Sequence, residues 1–106
     1  MPGVICAVSV VTAAELELGV LRANDAAIRS ARLATLAGVL SEYSLLPIDE
    51  QTASCFARIA DAELRSGRKL RRHDTWIAAT ALRHGVPVVT QDPDFTAFSS
   101  VAVIHV

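Results

Sequence analysis

Apolar positions along this chain alternate between short continuous runs and stripes with helical spacing. Val4 to Val11 is apolar but for Ser9 and rich in β-branched residues, which predicts a strand buried on both faces. Thr12-Ala-Ala-Glu15 has the form of a capping box, with Thr12 as N-cap and Glu15 at N3, opening a helix to about Ala23. Asn24-Asp25 interrupts the pattern. Ile28, Leu33, Leu36, Val39 and Leu40 then mark the apolar positions of a second helix from Ala26 to about Tyr43. Leu45 to Ile48 reads as a short strand, and Asp49 as the cap of a third helix from Glu50 to about Ser66 that turns Phe56, Ile59, Ala60 and Leu64 inward.

The stretch from Arg72 to Phe95 organises the rest. Counted from Asp74, the residues at helical spacing are Ile77, Ala78, Ala81 and Leu82, so Asp74 stands at the head of one apolar helix face. Gly85 marks the end of that helix. Val86 to Val89 is a short apolar strand that delivers Thr90, Asp92 and Asp94 into a loop, and Val101 to Val106 is a final strand carrying His105, read as structural. Strands alternating with helices predict an α/β fold with a mostly parallel sheet, where sites form at the carboxyl ends of strands.

At 106 residues the chain is expected to form one domain. Its 52% hydrophobic content leans on Ala and Val, which suits a buried sheet covered by Ala-rich helices. A net charge of −1 argues against a general polyanion binder. Positive charge is concentrated instead: Arg65, Arg68, Lys69, Arg71 and Arg72 lie just ahead of Asp74, placed either as a solvated loop or to hold a phosphate backbone. Cys6 and Cys55 sit among apolar neighbours and read as reduced core residues of a cytoplasmic protein. No apolar run is long enough to span a membrane.

Taken singly, Asp74 reads as a favourable charge at a helix start, Asp92 and Asp94 as turn formers beside Pro93, and Glu15 as a capping residue. Together they mean more. Carboxylates brought close to one another at the edge of a core need protons or a cation to compensate them, and a divalent metal is the usual cation.

Three segments carry a family resemblance: Ser9-Val-Val-Thr-Ala-Ala-Glu15-Leu-Glu-Leu-Gly19, Arg72-His-Asp74-Thr-Trp-Ile-Ala-Ala and Val88-Val-Thr90-Gln-Asp92-Pro-Asp94-Phe95. In order and spacing they resemble the PIN-domain toxins of bacterial VapBC toxin–antitoxin modules. The resemblance implies a three-layer PIN-like domain, a Mg2+- or Mn2+-dependent endoribonuclease, restraint by a cognate antitoxin and a homodimer. It also implies roles: Glu15, Asp74 and Asp92 as catalytic metal ligands, Asp94 as a nearby alternate ligand and Thr90 as a hydroxyl lining the site. Arg68, Lys69, Arg71 and Arg72 fall where they would meet the RNA backbone.

The family opens with a further apolar strand that ends in Asp-Thr or Asp-Ser, supplying the first acid, and then a helix. In this chain Met1-Pro-Gly leads directly to Val4. The expectation is therefore an N-terminally truncated form of the domain. It is either the product of a start placed inside a longer protein or a remnant that binds an antitoxin or an intact toxin without cleaving RNA. A phosphoacceptor of the response-regulator type, the other fold that clusters aspartates at strand ends, would need an acidic pair after the first strand and a Lys after a late one, and the sequence has neither.

Overall fold

The computed structural model describes residues 7–90, 92–95, 98 and 100–105. Expectations placed on Met1 to Cys6 and on Val106 lie outside them. The chain divides into two compact units, Met1–Pro47 and Ile48–Val106.

In the first unit, β1 (Ala7–Ser9) leads into α1 (Val10–Leu21), followed by α2 (Ala26–Glu42) and β2 (Ser44–Leu46). The expected strand to Val11 and the Thr12–Glu15 capping box are both corrected. The Ser9 hydroxyl accepts the Val11 N–H at 3.0 Å, so the helix starts two residues before Thr12 and takes in Val10 and Val11 despite their β-branching. Asp25 caps α2 in the same way, accepting the Ala27 N–H at 3.1 Å. Two arginines of α2 join the hairpin: Arg32 donates to the Gly19 carbonyl at 2.8 Å and Arg29 to the Ala23 carbonyl at 2.7 Å, which satisfies backbone acceptors at and just past the end of α1. β1 and β2 pair in parallel, Ala7 with Ser44 through Ser9 with Leu46.

In the second unit, α3 (Glu50–Arg65) and α4 (Arg72–His84) precede β3 (Val88–Thr90) and β4 (Val103–His105), which pair in parallel from Val88 with Val103 to Thr90 with His105. α3 begins in a capping box: Asp49 accepts the Thr52 N–H at 2.8 Å, and the Thr52 hydroxyl accepts the Asp49 N–H at 3.3 Å. Both helices end on a left-handed glycine. Gly67 has φ 77° and Gly85 φ 66°. The closing bonds run from the Arg68 N–H to the Glu63 carbonyl and from the Val86 N–H to the Ala81 carbonyl, each 3.0 Å.

The expected parallel pairing holds in both units, and the strands among the described residues form two two-stranded ladders. β3 starts later than Val86 because Val86 is used in the turn closing α4 and Pro87 has no N–H to give.

The core of the second unit is built on α4. Ala78 and Ala79 are fully buried, and with Ala81 they meet Ile59, Val88, Phe95, Phe98 and Val101. Small side chains let neighbouring elements approach α4 closely. Thr75 and Thr80 are buried beside them, and their hydroxyls donate to the Arg71 and Trp76 carbonyls one turn back. Phe56 stacks on Trp76 with ring centroids 4.1 Å apart, joining α3 to α4. Cys55, a free thiol, packs partly buried against this cluster.

Candidate metal centre

Asp74 lies in the first turn of α4, half-buried, where the helix dipole favours a negative charge. No side chain caps this helix. Its N-cap residue, Arg71, acts through its carbonyl, which accepts the Thr75 N–H at 2.8 Å and the Thr75 hydroxyl. The stripe behind Asp74 is buried as its spacing predicted, with Ala78 and Ala81 in the core and Ile77 and Leu82 packed against it.

At the carboxyl end of β3, three residues fold into consecutive side-chain turns. The Thr90 hydroxyl accepts the Asp92 N–H at 3.0 Å, Asp92 Oδ1 accepts the Asp94 N–H at 2.9 Å, and the Asp92 carbonyl accepts the Phe95 N–H at 3.2 Å. Phe95 is buried, which anchors the turn, while Asp92 and Asp94 are exposed. Thr90 thus shapes the loop that presents both carboxylates. Glu15 stands on the exposed side of α1 in the first unit.

The basic stretch is only partly turned to solvent. Glu63 on α3 is 5% exposed and takes two arginines at once, Arg71 Nη2 at 2.7 Å and Arg68 Nη1 at 2.9 Å. Burial pushes the Glu63 carboxyl up, but the hydrogen bonds from Arg71 and Arg68 outweigh it and hold the group below its ordinary value. Arg71 also lays its guanidinium over the Phe98 ring, 4.2 Å from the centroid. Arg71 is thus engaged within the second unit, whereas the exposed Lys69 and Arg72 are more available to a phosphate backbone. Lys69 and Arg72 are exposed, as is most of Arg68, while Arg65 pairs with Asp61 at 2.8 Å.

The family model for the PIN domain matches residues 5–101. The chain belongs to the PIN-domain family. Among its relatives, Ribonuclease VapC5 of Mycobacterium tuberculosis is 44% identical over 94% of this chain and 73% of its own length. Ribonuclease VapC4 of the same organism is 39% identical over 93% and 75%. The crystal structure of VapBC-5 from Mycobacterium tuberculosis, a member of the VapBC family of toxin-antitoxin systems, superposes with a TM-score of 0.84 at 45% identity, covering 94% of this chain and 81% of that one.

In this PIN domain the donor chemistry of Asp74, Asp92, Asp94 and Thr90 fits a hard divalent cation, since every candidate ligand atom is oxygen. Among the described residues, no three His, Cys, Asp or Glu side chains stand close enough together to hold an ion. No helix among them is long and apolar enough to cross a membrane. Sequence reading missed Glu63, although a signal was there: it falls four residues after Ile59 and seven after Phe56, on the apolar stripe of α3. An acid on a buried stripe calls for a buried cation, and the Arg68–Arg72 segment supplies it.

Proposed function

We propose that this PIN domain is a metal-dependent endoribonuclease, the toxin of a toxin–antitoxin pair, which cleaves RNA phosphodiesters with Mg2+ or Mn2+; Asp74, Asp92 and Asp94 are the candidate ligands by their match to the family pattern, although the described residues do not gather three carboxylates around one point. Glu15, on α1 of the first unit, matches a further acidic position of the family pattern by sequence alone. The observation that carries the reading is the pair of ordered acidic turns, one opening α4 and one closing β3, in a chain 44% identical to a relative named a ribonuclease. A bound divalent ion supplies charge neutralisation at the scissile phosphate and a more acidic water. The protein's own part is to fix the carboxylates. The Asp92 turn is pinned by Thr90 and Phe95, and Asp74 is held by a helix whose Thr75, Ala78, Ala79, Thr80 and Ala81 are buried. Lys69, Arg72 and the exposed part of Arg68 supply the contacts to the RNA backbone.

The test is RNA cleavage by the purified chain in Mg2+ or Mn2+ and in EDTA. Cleavage in either metal that EDTA abolishes supports the reading. RNA left intact in both metals overturns it for this chain.

A second reading, a binding module that pairs with an antitoxin protein or a second copy without cleaving RNA, is favoured by one feature of α2. Ile28, Leu33 and Leu40 are 46%, 53% and 49% exposed. Intact RNA together with a co-purifying small partner would favour it.

A further inference from the structure

Asp74 and Asp92 are 18 residues apart in sequence and sit on different elements, yet one residue is linked to the backbone around both, through its carbonyl on one side and its guanidinium on the other. Arg71 is that residue. Its carbonyl closes the first turn of α4, accepting the Thr75 N–H and hydroxyl, and so fixes the turn that contains Asp74. Its guanidinium lies on Phe98 at 4.2 Å, Phe98 is buried against Phe95 with centroids 6.0 Å apart, and the Phe95 N–H bonds to the Asp92 carbonyl at 3.2 Å. Glu63 holds the guanidinium from the other side at 2.7 Å, and is itself held through Arg68, whose N–H caps the Glu63 carbonyl at 3.0 Å while its Nη1 binds the carboxylate at 2.9 Å.

An arginine at this point does what a lysine does not. A planar fork can meet a carboxylate at its edge and an aromatic ring at its face together, whereas an ammonium has no flat face to stack. Burying Glu63 without these partners would be costly, so the carboxylate orients Arg71 rather than serving solubility. We infer that the Glu63–Arg71–Phe98 relay is a positioning device that sets the Asp74 turn and the Asp92 turn together. The inference builds on the metal-site reading above, with Glu63, Arg71 and Phe98 as positioning residues that touch neither metal nor RNA.

Two readouts test it in Glu63→Gln, Arg71→Lys, Phe98→Leu and Phe98→Tyr proteins. The first is amide hydrogen exchange in the metal-free chain at Thr75 and Phe95. The relay predicts that Glu63→Gln, Arg71→Lys and Phe98→Leu each speed exchange at both amides together, by about tenfold, while Phe98→Tyr keeps the ring and exchanges as the unmutated protein does. The second is titration with Mn2+ alone, where the same three variants need roughly 10–100-fold more metal and Phe98→Tyr does not. Should Glu63→Gln fail to fold, the Phe98→Leu and Phe98→Tyr pair decides. Faster exchange at only one amide, or unchanged metal affinity in variants that merely melt earlier, overturns the inference. An unmutated chain that binds no Mn2+ overturns the metal-site reading instead, and the exchange experiment still decides the relay.

Discussion

The helical hairpin of the first unit and the α3–α4 pair of the second are made of helices of similar length, yet they treat their apolar residues in opposite ways. Among the described residues of the first unit the buried apolar ones are Val20, Ala23 and Leu36, while Leu18, Leu21, Ile28, Leu33 and Leu40 are exposed. In the second, α4 buries alanines against Ile59, Val88, Phe95, Phe98 and Val101, and the charged groups nearest them are paired. The difference is one of support. The carboxylates of the second unit rest on a packed wall, and the first unit adds caps and arginine-to-carbonyl bonds to its strand pair and its small buried set.

Core truncation breaks this comparison most strongly. Ile59→Ala removes a side chain from the α3–α4 core and should lower unfolding free energy by about 2–5 kcal/mol, measured by urea denaturation. Leu33→Ala on α2 should change it by no more than about 0.5 kcal/mol. Equal losses at the two sites would mean that the α2 face is covered in solution.

Acid sharpens the comparison within the second unit. The Thr52 N–H and hydroxyl, with a smaller contribution from Arg83, lower the Asp49 carboxyl from 3.8 to about 2. A carboxylate lowered by folding stabilises the fold above its unfolded pKa and loses that contribution as pH falls through the folded one. Asp49→Ala should therefore lower the melting temperature at pH 7, and the gap to the unmutated protein should narrow between about pH 3.8 and 2. A gap that persists undiminished at pH 2 would show that the cap acts without the charge. Glu63 works in the same direction, its contribution fading as pH falls below 4.5.

The smallest effect concerns the basic stretch. Lys69→Ala and Arg72→Ala should leave stability unchanged and each lower the salt dependence of RNA binding by about one unit of slope, measured by titration at several salt concentrations. Arg71→Ala should instead cost stability, because it takes from the buried Glu63 carboxylate the less exposed of its two arginine partners.

Much of this was legible before the fold. The Ala78–Ala81 stripe, the stop at Gly85 and the Asp49 cap are local signals, each set by a few neighbouring residues. The start of α1 was misplaced because Thr12 and Glu15 fit a capping box as well as Ser9 fits an N-cap, and which hydroxyl closes the turn depends on where β1 ends. The exposure of Ile28, Leu33 and Leu40 was not legible, because periodicity marks a face without saying what covers it. The engagement of Arg71 was not legible for a related reason: Phe98 lies on a distant part of the chain, and a run of arginines looks the same whether solvated or paired.

The most direct measurement is RNA cleavage by the Asp74→Asn protein in Mg2+ or Mn2+, with its melting temperature taken alongside. Losing the charge while keeping the shape should lower the cleavage rate by about a hundredfold or more, consistent with the loss of an electrostatic group in an active site, and leave the melting temperature within a few degrees. Cleavage at the unmutated rate would contradict the assignment of the α4 carboxylate to the metal centre.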